Sequence, residues 1–433
     1  MSWKLRFCIV VLSTIAFSVN AQSEPYTLEK CIEIALKNNF GVISAKNSYD
    51  AARWDVYSSY GQLLPSISIS TDRSESWSPY YRRIKGVYIP GAGTSVEYGG
   101  NLSFIQSFTG LGLATYANIK QKHAQKYSYF YNYISTQNEM IQTIKESYFN
   151  LIKAKMLVDV YKDAVKRSLE QLKVAQSKYE LGSVSLSDVL KAKVLRSNAQ
   201  LDLITAENNY SISKANLNFN MGIDITEEIE VVEDLPQRSF NISYNQALNE
   251  ALTNNPSYRK AIYDLEMAKA ESWMAKANFL PTLRFYLSHS TAVDETNQLL
   301  NFEKNDASYY FGITLSYNIF NNFNDLSYLV SRKKYAKTQE ENLKYSKNAV
   351  ALEVKQAYLN VQQNLEKLKL NKESVEAALE DLNIVKEKYN LGAATIIEVL
   401  DAEVSFKQAQ TNQVQAMFDY NLAVSRLEKA MGR

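Results

Sequence analysis

The sequence predicts a mostly α-helical protein with a β-barrel portion, in which long antiparallel coiled-coil helices are combined with four strands per chain and an internal two-fold repeat. Three observations predict this class. Nearly the whole chain repeats once, two long stretches lack proline and carry a heptad pattern, and short segments beside them alternate apolar and polar residues. Such repeats indicate units that bury their apolar faces against each other.

The internal repeat is visible as pairs of similar segments that occur in the same order in both halves. Because the order is kept along almost the whole length, one structural unit is present twice. The pairs are 35–39 with 251–255, 64–65 with 280–281, 178–192 with 388–402, and 221–222 with 431–432.

Glycine and proline positions predict the long helices. Inside a helix these residues cost about 1 and 3 kcal/mol respectively. The stretch from Gly112 to Gly222 has no proline and one internal glycine, Gly182, and the stretch from 312 to 432 has no proline and only Gly392 inside it. Each half is therefore predicted to hold a helical hairpin, at 112–222 and at 324–431.

A heptad pattern indicates how these helices pack. Every seventh residue from 144 to 179, and from 354 to 389, is aliphatic or is a tyrosine. The interleaved positions, every seventh residue from 147 to 175, are mostly occupied by small residues. This pattern is typical of a coiled-coil seam that lets neighbouring helices approach closely.

Helix lengths add a geometric expectation. At 1.5 Å per residue, 113–181 forms a rod of roughly 100 Å, while 186–221 reaches about 54 Å and 256–279 about 36 Å. We expect the two shorter helices to stack end to end and match one long helix.

Four short segments are predicted as strands, at about 66–75, 97–109, 282–291 and 308–320. The first and third follow a Leu-Pro pair, which stops a helix. Leu102, Phe104 and Phe108 alternate with Ser103 and Ser107, as in membrane barrel strands. The connections 72–98, which contains Trp77, Tyr80, Tyr81 and Tyr88, and 292–306 are expected to be external loops.

Four strands cannot close a barrel, which needs about eight or more. Oligomerisation is therefore a geometric requirement if these strands enter a membrane. The alternative is an amphipathic hairpin packed on a soluble core.

The N-terminal residues indicate the compartment. Lys4 and Arg6 precede an apolar run, and small residues end at Ala21, so 1–21 is predicted to be a removed signal peptide. A lipid anchor is the competing interpretation, but Cys8 stands at the start of the apolar run rather than after it. The mature chain keeps one cysteine, Cys31, and no apolar run of 18 residues.

Charge and residue content argue against several classes of function. The signal peptide carries two of the 48 basic residues, which leaves 46 against 46 acidic ones, so no nucleic-acid partner is indicated. The only histidines are His123 and His289, and no Gly-rich phosphate loop or metal-ligand cluster is present. We therefore expect neither enzymatic activity nor a cofactor or metal site.

With these features the chain resembles the TolC-type outer membrane efflux protein family. The resemblance is carried by the paired segments 35–39 and 251–255, by both Leu-Pro strand starts and by the tip motifs 179–182 and 389–392. It implies a homotrimer in which each protomer gives four strands to a 12-stranded transmembrane barrel and helices to a periplasmic α-barrel. The first half departs from the family pattern, since Asn39-Phe40 replaces Asn-Pro.

The resemblance also implies partners. The channel would sit in outer membrane lipid, contact a periplasmic adaptor protein and receive substrates from an inner membrane pump of the RND or ABC type. The alternative is a periplasmic coiled-coil structural or adaptor subunit without a pore of its own. An adaptor would carry further domains between its helices, and no such insert interrupts 112–222.

The predicted tips combine a glycine C-cap with a capping box. Ser185 with Asp188, and Thr395 with Glu398, have the spacing of such boxes, so both acids are expected to cap helices. The resemblance adds a gate role for Asp188, Tyr389, Glu398 and Asp401, although a solvated helix face also accounts for Asp401. The family's basic residue at this lock corresponds to Ala394.

The tip turns are small and mildly apolar, which suits contact with a helical hairpin of an adaptor. The candidate contact residues are Leu181, Gly182, Ser183, Val184, Ser185, Leu186, Leu391, Gly392, Ala393, Ala394, Thr395 and Ile396.

In outline, the predicted organisation is a first repeat at 22–222, an equatorial segment at 223–243 and a second repeat at 244–433.

Overall fold

The structure is a computed structural model that describes residues 25–232, 242–293 and 307–433. The predicted signal peptide, residues 233–241 of the predicted equatorial segment and residues 294–306 of the second predicted loop lie outside the described residues. Within the described ranges, eight helices and four strands follow in order. They are α1 Leu28–Asn38, α2 Phe40–Gly61, β1 Ser66–Ile84, β2 Val87–Phe108, α3 Leu113–Glu180, α4 Leu186–Met221, α5 Tyr244–Asn254, α6 Pro256–Ala277, β3 Thr282–Val293, β4 Ala307–Ser316, α7 Asn324–Asn390 and α8 Ile396–Met431.

Two helices run almost the full length of the helical region. Helix α3 has 68 residues and α7 has 67, so each is roughly 100 Å long. Each returns as a 36-residue helix, α4 or α8, after a tight turn. The predicted hairpins at 112–222 and 324–431 are present.

The return helices α4 and α8 cover only part of the long helices beside them. The short helices of the same repeat, α1–α2 and α5–α6, cover the rest. A Cβ at Gly222, after α4, would meet Asn38 at 3.2 Å, and one at Gly432, after α8, would meet Asn254 at 2.7 Å. Helix α4 therefore abuts the α1–α2 turn, and α8 abuts the α5–α6 turn. The expectation that α4 stacks on the 256–279 helix was wrong, because similar segments 35–39 and 251–255 each cap their own repeat.

The two helix turns beside these contacts are built by equivalent asparagines. Asn255 accepts hydrogen bonds from the backbone N–H groups of Ser257 and Tyr258, with Pro256 at the first helical position. Asn39 accepts one from Gly41 at 2.8 Å. An asparagine N-cap thus starts both helices, and the proline that the first repeat lacks is dispensable for the turn.

The strands form one antiparallel sheet in the order β1-β2-β3-β4. Strands β1 and β3 begin directly after Pro65 and Pro281, as predicted. The register pairs Phe104 with Leu287 and Ser103 with Ser288, so one face is apolar and the other is rich in serine.

The first connection is not the predicted external loop. Strands β1 and β2 continue as a paired ribbon through residues 72–98 and reverse at Lys85 and Gly86. Both turn residues have positive φ, 48° and 90°, which is the backbone of a type I′ turn whose twist matches paired strands. The prediction failed because glycine and proline were taken as loop signals, whereas here they lie within the strands.

The core lies at the waist of the helices. Cys31, Ile144, Leu151 and Leu217 are fully buried in one cluster, joined there by Ile229 of the described part of the equatorial segment. That segment runs beside the N-terminal residues, with the Tyr26 N–H donating to the Glu230 carbonyl at 2.7 Å. Burial raises the pKa of the Cys31 thiol to about 12. This cluster fixes the rods at mid-height and leaves both ends to be positioned by other contacts.

Among the described residues, no helix combines the length and apolarity needed to cross a lipid bilayer.

Candidate functional site

The two hairpin turns that join the long helices lie at the end of the molecule away from the sheet. At Gly182 and Gly392 the backbone adopts φ of 72° and 81°, which L side chains rarely adopt. The Ser183 N–H donates to the Lys178 carbonyl and the Ala393 N–H to the Lys388 carbonyl, each at 2.8 Å. These bonds close each helix with a Schellman-type cap and produce two matching turns.

Both return helices begin with the predicted capping boxes. Asp188 accepts from the Ser185 backbone at 3.3 Å, and Glu398 accepts from the Thr395 backbone at 3.0 Å. The hydrogen bonds from the Thr395 backbone and hydroxyl lower the pKa of Glu398. Both acids thus cap their helices through one oxygen, which leaves the second oxygen free for other interactions.

The tip surface is apolar at its most exposed points. Leu181 and Leu391 are 81% and 85% exposed, and Leu186 is 52% exposed. Two candidate contact residues behave differently, since Ile396 is buried and Ala394 is half-buried under Tyr389. Ile396 is therefore part of the packing inside the tip rather than a surface residue. The other members of the predicted contact set remain exposed or half-buried.

Tyr389 is the centre of the packing between the two hairpins. It is 4% exposed and packs with Ile396, Val399 and Val174. Its pKa is raised by burial and, to a lesser extent, by the negative charge of Asp188. Among the described residues its hydroxyl has no hydrogen-bond partner. The structure therefore brings Tyr389 and Asp188 together electrostatically but without the hydrogen bond that the resemblance implies.

The equivalent tyrosine of the first repeat behaves differently. Tyr179 ends the first heptad stripe as Tyr389 ends the second, yet it is 44% exposed. The heptad pattern alone treats these two residues as the same. Only the arrangement of one hairpin against the other places Tyr389 inside and Tyr179 outside.

Lys178 makes the contact between the hairpin ends that sequence reasoning missed. Its ammonium group donates to the carbonyl oxygens of Tyr389 at 2.5 Å and Asn390 at 3.2 Å, and lies 4.5 Å from the centre of the Tyr389 ring. The last carbonyls of a helix carry partial negative charge, so a cation there is stabilising. Lys178 thus links α3 to the C-terminal end of α7, beside the position where Ala394 lacks a charge.

A second cross-hairpin cluster lies further up the helices. Glu403 of α8 is 6% exposed and pairs with Arg167 of α3 at 3.0 Å and Lys386 of α7 at 2.5 Å. Arg167 also lies 5.0 Å from the ring of Phe406. In the sequence Glu403 carries no motif, and only its place among apolar neighbours at 402 and 406 signals burial.

The two remaining candidate gate residues share one face. Glu398 and Asp401 are both exposed, whereas Val399 and Ala402, each the next residue along the chain, are buried in the hairpin. Two carboxylates are therefore presented together, away from the packing. Within the described part of one chain, no group of three or more His, Cys, Asp or Glu residues is placed to hold a metal ion.

Comparison with known proteins matches this architecture. The family described as outer membrane efflux protein matches residues 31–222 and 247–433. The outer membrane protein TolC of Vibrio cholerae is 25% identical over 98% of this chain and 94% of its own length. The alkaline protease secretion protein AprF of Pseudomonas aeruginosa is 21% identical over 99% of this chain and 87% of its own.

A solved structure gives the same result at the level of the fold. The Campylobacter jejuni CmeC outer membrane channel superposes with a TM-score of 0.80, covers 94% of this chain and 85% of its own, and is 17% identical. The family match spans both repeats and therefore most of the chain. This chain, with its paired long hairpins and four-stranded sheet, belongs to the outer membrane efflux protein family.

Proposed function

We propose that this chain is the outer membrane channel of a tripartite efflux or type I secretion system, in which three copies form one barrel and one periplasmic tunnel. The observation that carries the proposal is the sheet. Its outer strands β1 and β4 each have one unpaired edge among the described residues. Unpaired strand edges do not occur in the hydrocarbon region of a membrane, so copies of the chain must pair them.

The helical region has two open edges as well. The exposed faces of α4 and α7 carry large apolar residues that no helix in the described ranges covers. On α7, Tyr345, Leu352 and Leu359 recur at heptad spacing. Packing α7 of one copy against α4 of the next would bury both faces. The exposed residues on α4 are Leu190, Val194, Leu201 and Ile204.

The hairpin tips form the gate in this proposal. Three copies would place six carboxylates, from Glu398 and Asp401, around one opening. A ring of this kind attracts cations and repels anions. Tyr389 and Asp188 lie where the α3–α4 hairpin meets the α7–α8 hairpin, and we propose that the contact at Tyr389 is released when the hairpins move apart as rigid rods.

The tip surface supports one of the proposed partners, a periplasmic adaptor. The exposed Leu181 and Leu391 suit contact with a helical hairpin of a periplasmic adaptor. Adaptor binding to the open tip supplies the differential affinity that opening needs. Substrates would come from an inner membrane pump of the RND or ABC type, and the barrel would contact outer membrane lipid. The name of the Pseudomonas relative indicates protease secretion for that protein.

The gate assignment is tested by single-channel recording of purified trimers in planar bilayers. The variant Glu398→Gln with Asp401→Asn keeps the capping box but removes the ring charge. We expect block by divalent cations to weaken by about tenfold or more. The control Glu373→Gln with Glu376→Gln removes two exposed charges at the same spacing on α7. Unchanged block in the first variant would remove the gate assignment.

The pore itself is tested separately from the gate. Outer membrane fractions should contain a detergent-stable, heat-modifiable trimer that conducts ions after reconstitution. A periplasmic adaptor or coiled-coil subunit would fractionate without the membrane and give no conductance. That outcome would replace the channel with the alternative function.

A further inference from the structure

The ribbon formed by β1 and β2 extends well beyond the four-stranded sheet. Strand β3 pairs with β2 only from Tyr98 to Phe108, so among the described residues 74–84 and 87–97 pair only with each other. At about 3.3 Å per residue this free part is roughly 36 Å long. It points away from the helices, because α3 follows the opposite end of β2. In an outer membrane channel it lies on the cell exterior.

The free ribbon needs a partner. An isolated two-stranded ribbon is at best marginally stable in water. Large side chains are nevertheless uncovered along it, with Trp77 66% and Tyr88 65% exposed. Val87 and Ile89 are also exposed. Such residues are costly to leave in water.

The register shows which face carries these residues. Alternation along β1 places Trp77 and Arg83 on the same face as Ile67 and Ile69, which is the apolar face of the sheet. Tyr88 lies opposite Arg83 on that face, with its ring 5.7 Å from the guanidinium carbon. The other face continues the serine lining, with Ser76 and Ser95 hydrogen-bonded at 2.8 Å, and near the turn it carries Arg82, Val87 and Ile89. The aromatic and cationic face is thus continuous with the face turned to lipid.

The charge at the outer end of the ribbon is one-sided, whereas its base carries Glu75 and Glu97. Arg82, Arg83 and Lys85 stand at the turn, and no Asp or Glu occurs from 76 to 96. All three cations are exposed, and among the described residues none has a carboxylate partner. One Arg guanidinium can bind two phosphate oxygens at once. The rings of Trp and Tyr favour membrane interfaces. The combination complements an anionic lipid surface.

We propose that residues 74–97, the outer ribbon, bind the phosphate-bearing lipid headgroups of the surrounding outer leaflet. The aromatic face lies on the headgroups, and the basic turn binds phosphate. This inference rests on the trimeric barrel of the proposed function, which sets the height of the ribbon relative to the membrane. Each basic residue near an anionic surface strengthens binding several-fold, so three together contribute roughly 100-fold.

The test uses the full-length trimer in lipid nanodiscs and amide hydrogen exchange of residues 74–97. One preparation contains diphosphorylated lipid A and the other contains dephosphorylated lipid A. We expect slower exchange of the ribbon only with the phosphorylated lipid, and loss of this protection in Arg82→Gln with Arg83→Gln and Lys85→Gln. A matched control removes three exposed charges from the far end of the helices, as Lys173→Gln, Lys193→Gln and Arg196→Gln.

Three outcomes would overturn the proposal. Equal protection in both lipids would mean that phosphate is not recognised. Protection by inorganic phosphate alone in detergent would indicate a free-anion site. Protection in detergent without either ligand would mean that the ribbon packs on the trimer itself. Conductance of the same preparations is measured in parallel, so failure of the channel is distinguished from failure of ribbon binding.

Discussion

Lys178 and Lys388 occupy equivalent positions in the two repeats but have different environments. The ammonium group of Lys178 binds two carbonyl oxygens at the end of α7, whereas Lys388 is exposed. The difference arises because Lys178 lies on the side of α3 that faces the end of α7, whereas Lys388 lies on the solvent side of α7. A single residue type in one repeated motif therefore has two roles.

Replacing Lys178 by Met is expected to loosen the closed tip. Hydrogen bonds to a charged group are worth about 1.5–3 kcal/mol, and for this partly exposed group we expect about 1 kcal/mol. The open fraction in single-channel records should rise about fivefold. Lys388→Met is the matched control and should leave it unchanged. Equal effects of the two substitutions would show that Lys178 does not hold the hairpins together.

Tyr389 gives the tip a pH dependence at alkaline pH. Its pKa in the closed state lies above the ordinary value of 10.0, because burial and the charge of Asp188 disfavour the phenolate. The closed state therefore keeps its proton where an exposed tyrosine loses it, and its stability falls as pH rises above 10. Wild-type channels should open more often between pH 10 and 11.

The comparison with Tyr389→Phe isolates this effect. All other groups are retained in both proteins, so the difference between the two pH profiles reports on the tyrosine. We expect the variant to show a flatter profile in planar bilayer recordings. Identical profiles would contradict the assignment.

The site could be predicted at the residues whose role is local. Asp188 and Glu398 have the spacing of capping boxes, and the structure has both boxes. Lys178, Arg167 and Glu403 could not be predicted, because their partners lie more than 200 positions away in the sequence. Contacts between the two hairpins depend on how far each hairpin is rotated about its long axis. Heptad spacing does not determine this rotation.

At the scale of elements, glycine decides where each rod reverses. Open space surrounds a Cβ built at Gly182 or Gly392, so size is no obstacle there. The backbone is the obstacle, since positive φ costs about 1–2 kcal/mol for most L residues. Asparagine tolerates this conformation better than other residues.

Gly182→Asn should therefore preserve export, whereas Gly182→Glu should abolish it by placing a charge on the apolar tip that we propose to contact the adaptor. Trimers should persist in both variants, because the core at the waist is far from the turn. Export of a pump substrate from cells is measured beside trimer content in membranes. Loss of the trimer in the glutamate variant would indicate a folding role for the glycine instead.

Helix boundaries were more predictable than strand boundaries. The predicted return helix 186–221 has the bounds of α4. The ribbon through residues 72–98 was missed, because serine, glycine and proline in a solvent-exposed strand give the same composition as a loop. Only the hydrogen bonds between the two strands distinguish an exposed strand from a loop of the same composition. These bonds depend on both segments, so neither segment alone predicts them.

At the scale of the whole molecule, one chain forms a sheet and a helical layer that both have open edges. Among the described residues, its sheet ends at unpaired β1 and β4 edges, and its helical layer ends at uncovered faces of α4 and α7. Both kinds of edge lie on the same two sides, since each strand leads into the helices beneath it. Copies of the chain can therefore close the sheet and the helical layer together.

Native mass spectrometry of the complex extracted in detergent tests this closure most directly. Three chains with four strands each give the 12 strands that a closed barrel of this family would have. We predict a single species of three copies that dissociates only under denaturing conditions. A stable, conducting species with one chain, or with a number of chains other than three, would contradict the account.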